Sequence, residues 1–263
     1  MIVVKLGGAE GNDLAPALAE VASQPECILV HGGSAEVDRL GVALGRPARY
    51  LTSPSGVVSR HTDMPGLELL TMALAGKVNT QIVAHLQGLG IRALGLSGVD
   101  GALVVAQRKE GTRSVEQGRI IHVKDDHGGT IETVNAELLQ LLVRAGYVPV
   151  VSPPAITATG EVVNVDADRL AARLAIAVHA QALVLLTNVP GLLEDPENFE
   201  TVVPLVTEAR FASFLEVAHG RMKKKLLAAE EAARHGVDRV VIGSSHVAQP
   251  IAQAIAGQGT VVA

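Results

Sequence analysis

The 263-residue sequence contains no tryptophan, two tyrosines and three phenylalanines. A chain so poor in rings lacks the aromatic platforms on which single-stranded bases stack, and its core must be packed from aliphatic side chains. Its one cysteine, Cys27, excludes an internal disulfide and any zinc site built on several thiolates. A surplus of positive charge is missing too. The 22 Lys and Arg are outnumbered by 27 Asp and Glu, a net charge of −5, which excludes a globally basic polyanion binder. No apolar run reaches the roughly 18 residues of a membrane span. The N-terminus MIVVKLGG has neither the basic segment nor the long apolar segment of a secretion signal. These absences predict a cytoplasmic protein that engages neither nucleic acid nor membrane. What is present is a large aliphatic content: hydrophobic residues make up 48% of the chain. The length suits one large α/β unit or two small lobes.

Short β-rich apolar runs at Ile2–Leu6, Cys27–Val30, Ala93–Leu96, Val148–Ser152, Leu183–Thr187 and Val240–Ile242 predict buried strands. Between them, helical periodicity covers Leu14–Ala22, Ala35–Leu44, Leu67–Ala75, Val78–Gln87, Ala136–Ala145, Ala167–Val178 and Met222–Arg234. Strand–helix alternation predicts a mostly parallel sheet with helices on both faces, a three-layer α/β/α sandwich. Tyr50–Ser59, centred on Pro54-Ser55-Gly56, and Leu103–Val123, with Gly111 and Gly118 at turns, read as hairpins. New strand–helix units begin near residue 175, so one domain of two lobes is expected, 1–175 and 176–263.

In an open α/β sheet, ligands bind beyond the carboxyl ends of the strands. The first predicted strand ends in Lys5-Leu6-Gly7-Gly8 and the second in His31-Gly32-Gly33-Ser34, just before a helix. Paired glycines also serve as plain tight turns. A lysine inside a buried strand, however, costs desolvation unless an anion meets it, and backbone N–H groups at glycines approach phosphate closely. Neither G-x-G-x-x-G after a strand nor G-x-x-x-x-G-K-[ST] occurs, which excludes the two common nucleotide loops. Asn164-Val165-Asp166-Ala167-Asp168 opens a helix, where one Asp suffices as a cap and the others are free for another task. In Gly220-Arg221-Met222-Lys223-Lys224-Lys225, a charge run that could be a solvated face, Lys225 leads into Leu226-Leu227 and is expected to point inward.

Lys-Leu-Gly-Gly, His-Gly-Gly, Ser59-Arg60, Asn164-x-Asp-x-Asp168, Thr187-Asn188-Val189-Pro190-Gly191-Leu192 and Gly-x-Met-x-x-Lys225 stand in the order seen in the amino acid kinase family, and the chain resembles that family over essentially its whole length. Within the family it is similar to the acetylglutamate kinases and to the aminoadipate kinases of lysine biosynthesis. The Tyr50–Val57 and Arg60–Asp63 segments favour the second group. So does Ser34, at a position where acetylglutamate kinases usually carry a third glycine. The resemblance implies ATP-dependent phosphorylation of a side-chain carboxylate, with the aminoadipate tethered to the small acidic carrier protein LysW. It implies Lys5, Lys225 and Asp168 as catalytic residues. Gly32, Gly33, Arg60 and Asn164 are implied on the substrate, and Gly8, Thr187, Asn188, Gly191 and Met222 on the nucleotide. Mg²⁺ would arrive with ATP rather than in a dedicated cage, and relatives are commonly homodimers. Acetylglutamate kinase, a dual aminoadipate/glutamate kinase and a non-catalytic sensor on the same fold are the competing readings.

Such chemistry suits these residues. A carboxylate is already ionised at pH 7, so no general base is needed. The task is to bring two anions together and stabilise the moving phosphoryl group. The nine histidines show no metal-ligand spacing, and His31 is expected to pack or cap beside its glycine loop. Arg39, Arg46, Arg49, Arg60 and His61 are expected to form a positive rim round the substrate opening.

Overall fold

The structure is a computed structural model and describes residues 1–24, 26–218 and 220–263. In chain order the first half runs β1 (Ile2–Leu6), α1 (Ala15–Val21), β2 (Cys27–His31), α2 (Ser34–Ala43), β3 (Tyr50–Thr52), β4 (Val58–Arg60), α3 (Met64–Thr71), a π-helical turn (Met72–Val78), α4 (Asn79–Gly88), β5 (Ala93–Ser97), β6 (Val104–Arg108), β7 (Thr112–Glu116), β8 (Arg119–Val123) and β9 (Gly129–Val134). The second half runs α5 (Ala136–Arg144), β10 (Val148–Ser152), β11 (Ala155–Ile156), β12 (Val162–Val163), α6 (Ala167–Ala177), β13 (Ala182–Thr187), β14 (Leu205–Val206), α7 (Glu208–Val217), α8 (Gly220–Arg234), β15 (Arg239–Ser244), α9 (Pro250–Ile255) and β16 (Thr260–Val262).

Eight strands form the central sheet in the order β14-β16-β15-β13-β1-β2-β10-β5. It is parallel from β15 to β5, and only the β15–β16 pairing is antiparallel. The central strands are apolar on both sides because helices cover both faces. Alternate residues point to opposite faces. Val3, Ile28, Val30, Val151, Leu183 and Leu185 pack with α5, α6, α7 and α8. Ile2, Val4, Leu6, Leu29, Val150 and Val184 pack with α1, α4 and α9. The proposed division at residue 175 falls within α6, and the sheet passes across it without a break, β1 lying beside β13.

Two predicted segments come out differently. Leu103–Val123 is not one hairpin unit. β7 and β8 form the hairpin, whereas β6 pairs with β9 and β11 in a separate four-stranded sheet. The helices expected at Leu67–Ala75 and Val78–Gln87 are one continuous helical path from Met64 to Gly88, joined by the π-turn. The insertion has a consequence for phase. Leu67, Leu70 and Leu74 line the buried side, and an unbroken α-helix would next bury Lys77 and Gln81. One extra residue brings Asn79, Ile82 and Leu86 there instead.

Candidate active site

β1 lies in the middle of the sheet and ends beside the ends of β2 and β13. Lys5 shares its strand face with Val3, so it points toward α6 and α8. Asp168 stands in the first turn of α6, and Lys225 projects from the same side of α8 as Ala228, Ala229 and Ala232. The three meet. Lys5 Nζ and Lys225 Nζ each lie 2.8 Å from the same oxygen, Oδ1 of Asp168. Their exposures are 7%, 4% and 9% for Lys5, Lys225 and Asp168. Burial alone would raise the Asp168 pKa, but the two ammonium groups overcome it and hold the carboxyl well below its usual range. Burial lowers Lys225 from 10.5 to about 8, with Asp168 opposing and Lys5 reinforcing the shift. One carboxylate cannot neutralise two ammonium groups. A net positive charge therefore remains in a buried position, and a dianionic phosphoryl group would satisfy it.

Asp166 is the cap that the sequence allowed for: its carboxylate accepts from the backbone N–H groups of Asp168 and Arg169 and leaves Asp168 to the lysines. The charge run on α8 divides its work among neighbours. Met222 packs on the core, Lys223 donates to Ser55 O at 2.9 Å, Lys224 pairs with Asp166 at 3.3 Å, and Lys225 turns inward.

The two glycine loops touch at the carboxyl edge. A Cβ on Gly8 would collide with Gly33 N and Gly32 C, so no side chain fits at Gly8. Ala35 N and Ser34 Oγ both donate to Gly8 O and tie the start of α2 to the first loop. Among the described residues, the N–H groups of Gly8 and Gly33 have no protein acceptor, which leaves both donors free for a ligand.

Asn164 and the backbone of Arg60 are linked through Thr62, a site residue that sequence reasoning missed, whose hydroxyl donates to Arg60 O at 3.4 Å. Asn164 Nδ2 donates to Thr62 Oγ1 at 3.1 Å, and Thr62 N donates to Asp126 at 3.0 Å. Arg60 Nη2 donates to Asp38 Oδ1 at 2.8 Å, to Tyr50 Oη at 3.0 Å and to Ser34 O at 3.4 Å. All three bonds use one nitrogen, so the other face of the guanidinium fork stays available. Tyr50 and Thr62 lie in segments that carry the resemblance, but nothing local marks them, Asp38 or Asp126 as site residues. Their roles depend on partners brought close by the fold.

Thr187 ends β13, and its carbonyl accepts from Ser245 N at 2.7 Å. Its hydroxyl faces Asn188 Oδ1 at 3.4 Å, and the Asn188 amide lies beside Gly11 of the first loop. Gly191 is placed by packing: a Cβ there would stand 2.6 Å from Thr260 Oγ1, which also accepts from Leu192 N. Among the described residues no three His, Cys, Asp or Glu side chains gather as a metal-holding group, and no helix is long and apolar enough to cross a membrane.

The expected positive rim is corrected by the structure. Arg39 and Lys77 pair with Glu36, Arg46 with Asp63, Arg49 with Glu116, Arg60 with Asp38 and His61 with Asp125. The basic side chains are there, but each has an acidic partner, Arg39 from its own helix and the others from parts of the chain more distant in sequence.

A mostly parallel α/β sheet whose carboxyl edge joins a doubly paired aspartate to two glycine loops presents a site suited to an anion. The chain belongs to the amino acid kinase family, whose model matches residues 1–244. It is 47% identical over 266 residues to a protein of Deinococcus radiodurans named [LysW]-aminoadipate kinase, covering 100% of this chain and 91% of that one. A protein of the same name from Thermus thermophilus is 46% identical, with 100% of both chains covered. An acetylglutamate kinase of Methanopyrus kandleri is 39% identical, also over 100% of both.

Proposed function

We propose that this chain transfers the γ-phosphoryl group of ATP to the side-chain carboxylate of α-aminoadipate carried on the protein LysW, forming an acyl phosphate in lysine biosynthesis in the cytoplasm. The observation that carries the reading is the shared Asp168 oxygen between Lys5 and Lys225 at the glycine loops. The acceptor is taken from the name borne by relatives that are 46–47% identical over the whole of this chain.

Asp168 holds the two ammonium groups at the reaction line, one from the sheet and one from α8. Lys5 and Lys225 stabilise charge on the phosphoryl group as it moves between two oxygens. The Gly8 and Gly33 N–H groups donate to phosphoryl or acceptor oxygens, with Gly32 giving the close backbone approach. Arg60 pairs with the α-carboxylate of the substrate and Asn164 binds beside it. Thr187, Asn188, Gly191 and Met222 shape the nucleotide side. The acceptor oxygen is already anionic, so no residue needs to remove a proton. Mg²⁺ would arrive with the nucleotide, as the resemblance implies, and would supply further charge neutralisation beside Lys5 and Lys225. Residues 1–175 would form the substrate lobe and 176–263 the nucleotide lobe, in a homodimer.

Carrier-linked aminoadipate, carrier-linked glutamate and N-acetylglutamate, assayed side by side for ADP release, test the reading. The expected order of kcat/KM puts carrier-linked aminoadipate first. N-acetylglutamate as the fastest acceptor would replace this function with acetylglutamate kinase activity. Nucleotide binding without turnover on any acceptor would make the chain a sensor.

A further inference from the structure

The lysine pair approaches the glycine loops from the α6/α8 side of the sheet. The opposite side of the same loops is occupied by groups to which the chemistry so far gives no task. His31 shares its strand face with Cys27 and Leu29 and points toward α4. It is 1% exposed. Its Nδ1 lies 2.8 Å from Gly32 O and its Nε2 lies 3.0 Å from Asn79 Nδ2. The same Asn79 Nδ2 donates to Val150 O at 2.9 Å.

These contacts fix where the protons are. The Val150 carbonyl can only accept, so the amide of Asn79 must turn its nitrogen toward it. The second hydrogen of that nitrogen then faces His31 Nε2, which must be unprotonated. The imidazole proton is on Nδ1 and is donated to Gly32 O. Gly95 contributes by having no side chain, because a Cβ there would overlap Asn79 Oδ1. Burial lowers the His31 pKa to about 4, with the nearby Lys5 charge adding to the effect, so the ring stays neutral.

In a trans peptide the C=O and N–H point in opposite directions. Anchoring Gly32 O toward α4 therefore directs the Gly33 N–H away from α4, to the side where Lys5 and Lys225 lie. A second feature presses on the same loop. A Cβ on Gly33 would stand 2.5 Å from Leu74 Cδ2 and 3.3 Å from Val78 Cγ2, both in the π-turn. That turn is also what rotates Asn79 onto the buried face. The strand-end histidine, the amide and the helix irregularity all act on one peptide group.

We infer that His31, oriented by Asn79, is a positioning residue that locks the Gly32–Gly33 peptide so that its N–H is aimed at the transferring phosphoryl group. The inference rests on the proposed reaction at these loops but not on the identity of the acceptor. A wrongly turned peptide would present a carbonyl oxygen to an anion, so the effect belongs to the chemical step more than to binding.

Two substitutions separate the two ring nitrogens. In His31→Asn the side-chain amide stands near the Nδ1 position and can still donate to Gly32 O. In His31→Gln it reaches toward the Nε2 position and leaves Gly32 O unheld. With Mg-ATP and whichever acceptor the unaltered chain turns over, His31→Gln is expected to lower kcat by roughly tenfold to a hundredfold, with both KM values within about twofold. His31→Asn is expected to recover most of that loss. Equal losses in the two variants, or losses carried by KM, overturn the inference. The ¹⁵N shifts of His31 in the unaltered chain at pH 7 test it without any substitution: a protonated Nδ1 and bare Nε2 are required, and the opposite tautomer overturns it. Preference for N-acetylglutamate would displace the carrier reading while leaving this comparison intact.

Discussion

Asp168 concentrates the electrostatics of the site on one oxygen atom. Two buried ammonium groups share it, so removing either lysine leaves a balanced pair but deletes a charge from the path of the phosphoryl group. Lys5→Ala and Lys225→Ala are each expected to lower kcat by roughly 10²–10³, with a smaller change in acceptor KM. Steady-state kinetics on folded variants decide this, and near-normal turnover in either removes that lysine from the mechanism. The pH dependence carries a further signature. With Lys225 lowered from 10.5 to about 8, kcat/KM should fall as pH rises through about 8, where the free enzyme loses that ammonium. Bound phosphates favour the charged form, so the limb in kcat should lie higher. Stability should move the other way. Between pH 8 and 10.5 the unfolded chain holds more protons at this position than the folded one, so the Lys225 contribution improves as pH rises. Asp168 follows the same sign in the acid range: its lowered pKa contributes stability above the ordinary carboxylate range, and that contribution disappears on acidification. Activity and melting temperature followed together from pH 6 to 10 should therefore diverge on the alkaline side. If both fall in step, Lys225 is not the group responsible.

At the scale of elements, the end of the sheet depends on a cap donated by another helix. Helix α9 has no side-chain cap of its own at Gln249. The carboxylate of Glu20, from the last turn of α1, accepts instead from Ile251 N and Ala252 N, each at 2.7 Å. Two charge-assisted bonds at a helix N-terminus are together worth about 1–2 kcal/mol. Glu20→Ala should lower Tm by roughly 2–8 °C with kcat unchanged, and Glu20→Gln should recover part of it by accepting one of the two bonds. A Tm unchanged by Glu20→Ala would show that Pro250 and the packing of Ile251 and Ala254 hold α9 unaided. Such long-range caps also explain what could be read in the sequence. β1, β2, β10 and β13 were legible because apolar runs bounded by Gly or polar residues have few other uses. Lys5 was legible for the same reason, as an ionic group inside such a run. Asn79 was not. It looks like any polar residue on a helix until the π-turn rotates it inward to His31, 48 residues away in sequence. β11, β12 and β14, at two residues each, are too short to show a period at all.

Over the whole molecule the same limit of local reading governs surface charge. Arg49 reads as part of a positive rim because its partner, Glu116, is 67 residues away on β7. Arg60 is 22 residues from Asp38, and Arg46 meets Asp63 at 3.9 Å. The opening beside the β3–β4 hairpin therefore offers arginines that already have acidic partners. Its field at a distance is that of a nearly neutral surface, whatever the count of cations. An acidic carrier approaching this opening would be steered weakly, since oppositely charged partners cancel beyond a Debye length of about 8–10 Å. Removing the acids rather than the bases then becomes the informative change. Glu116→Gln and Asp63→Asn keep the shape of their side chains. The amide oxygen introduced by Asp63→Asn can still cap α3 by accepting from Gly66 N, as the Asp63 carboxylate does at 2.8 Å. Together the two substitutions uncover Arg49 and Arg46. The double variant should raise kcat/KM for carrier-linked aminoadipate by about two- to fivefold at low ionic strength, and the gain should vanish at high salt. A small free acceptor should show no gain at either. Reversal of the same two arginines to Glu should produce the opposite sign on the carrier-linked substrate alone. If neither change separates the two substrates, the carrier does not dock over this hairpin, and its contacts must be sought on another face of the molecule.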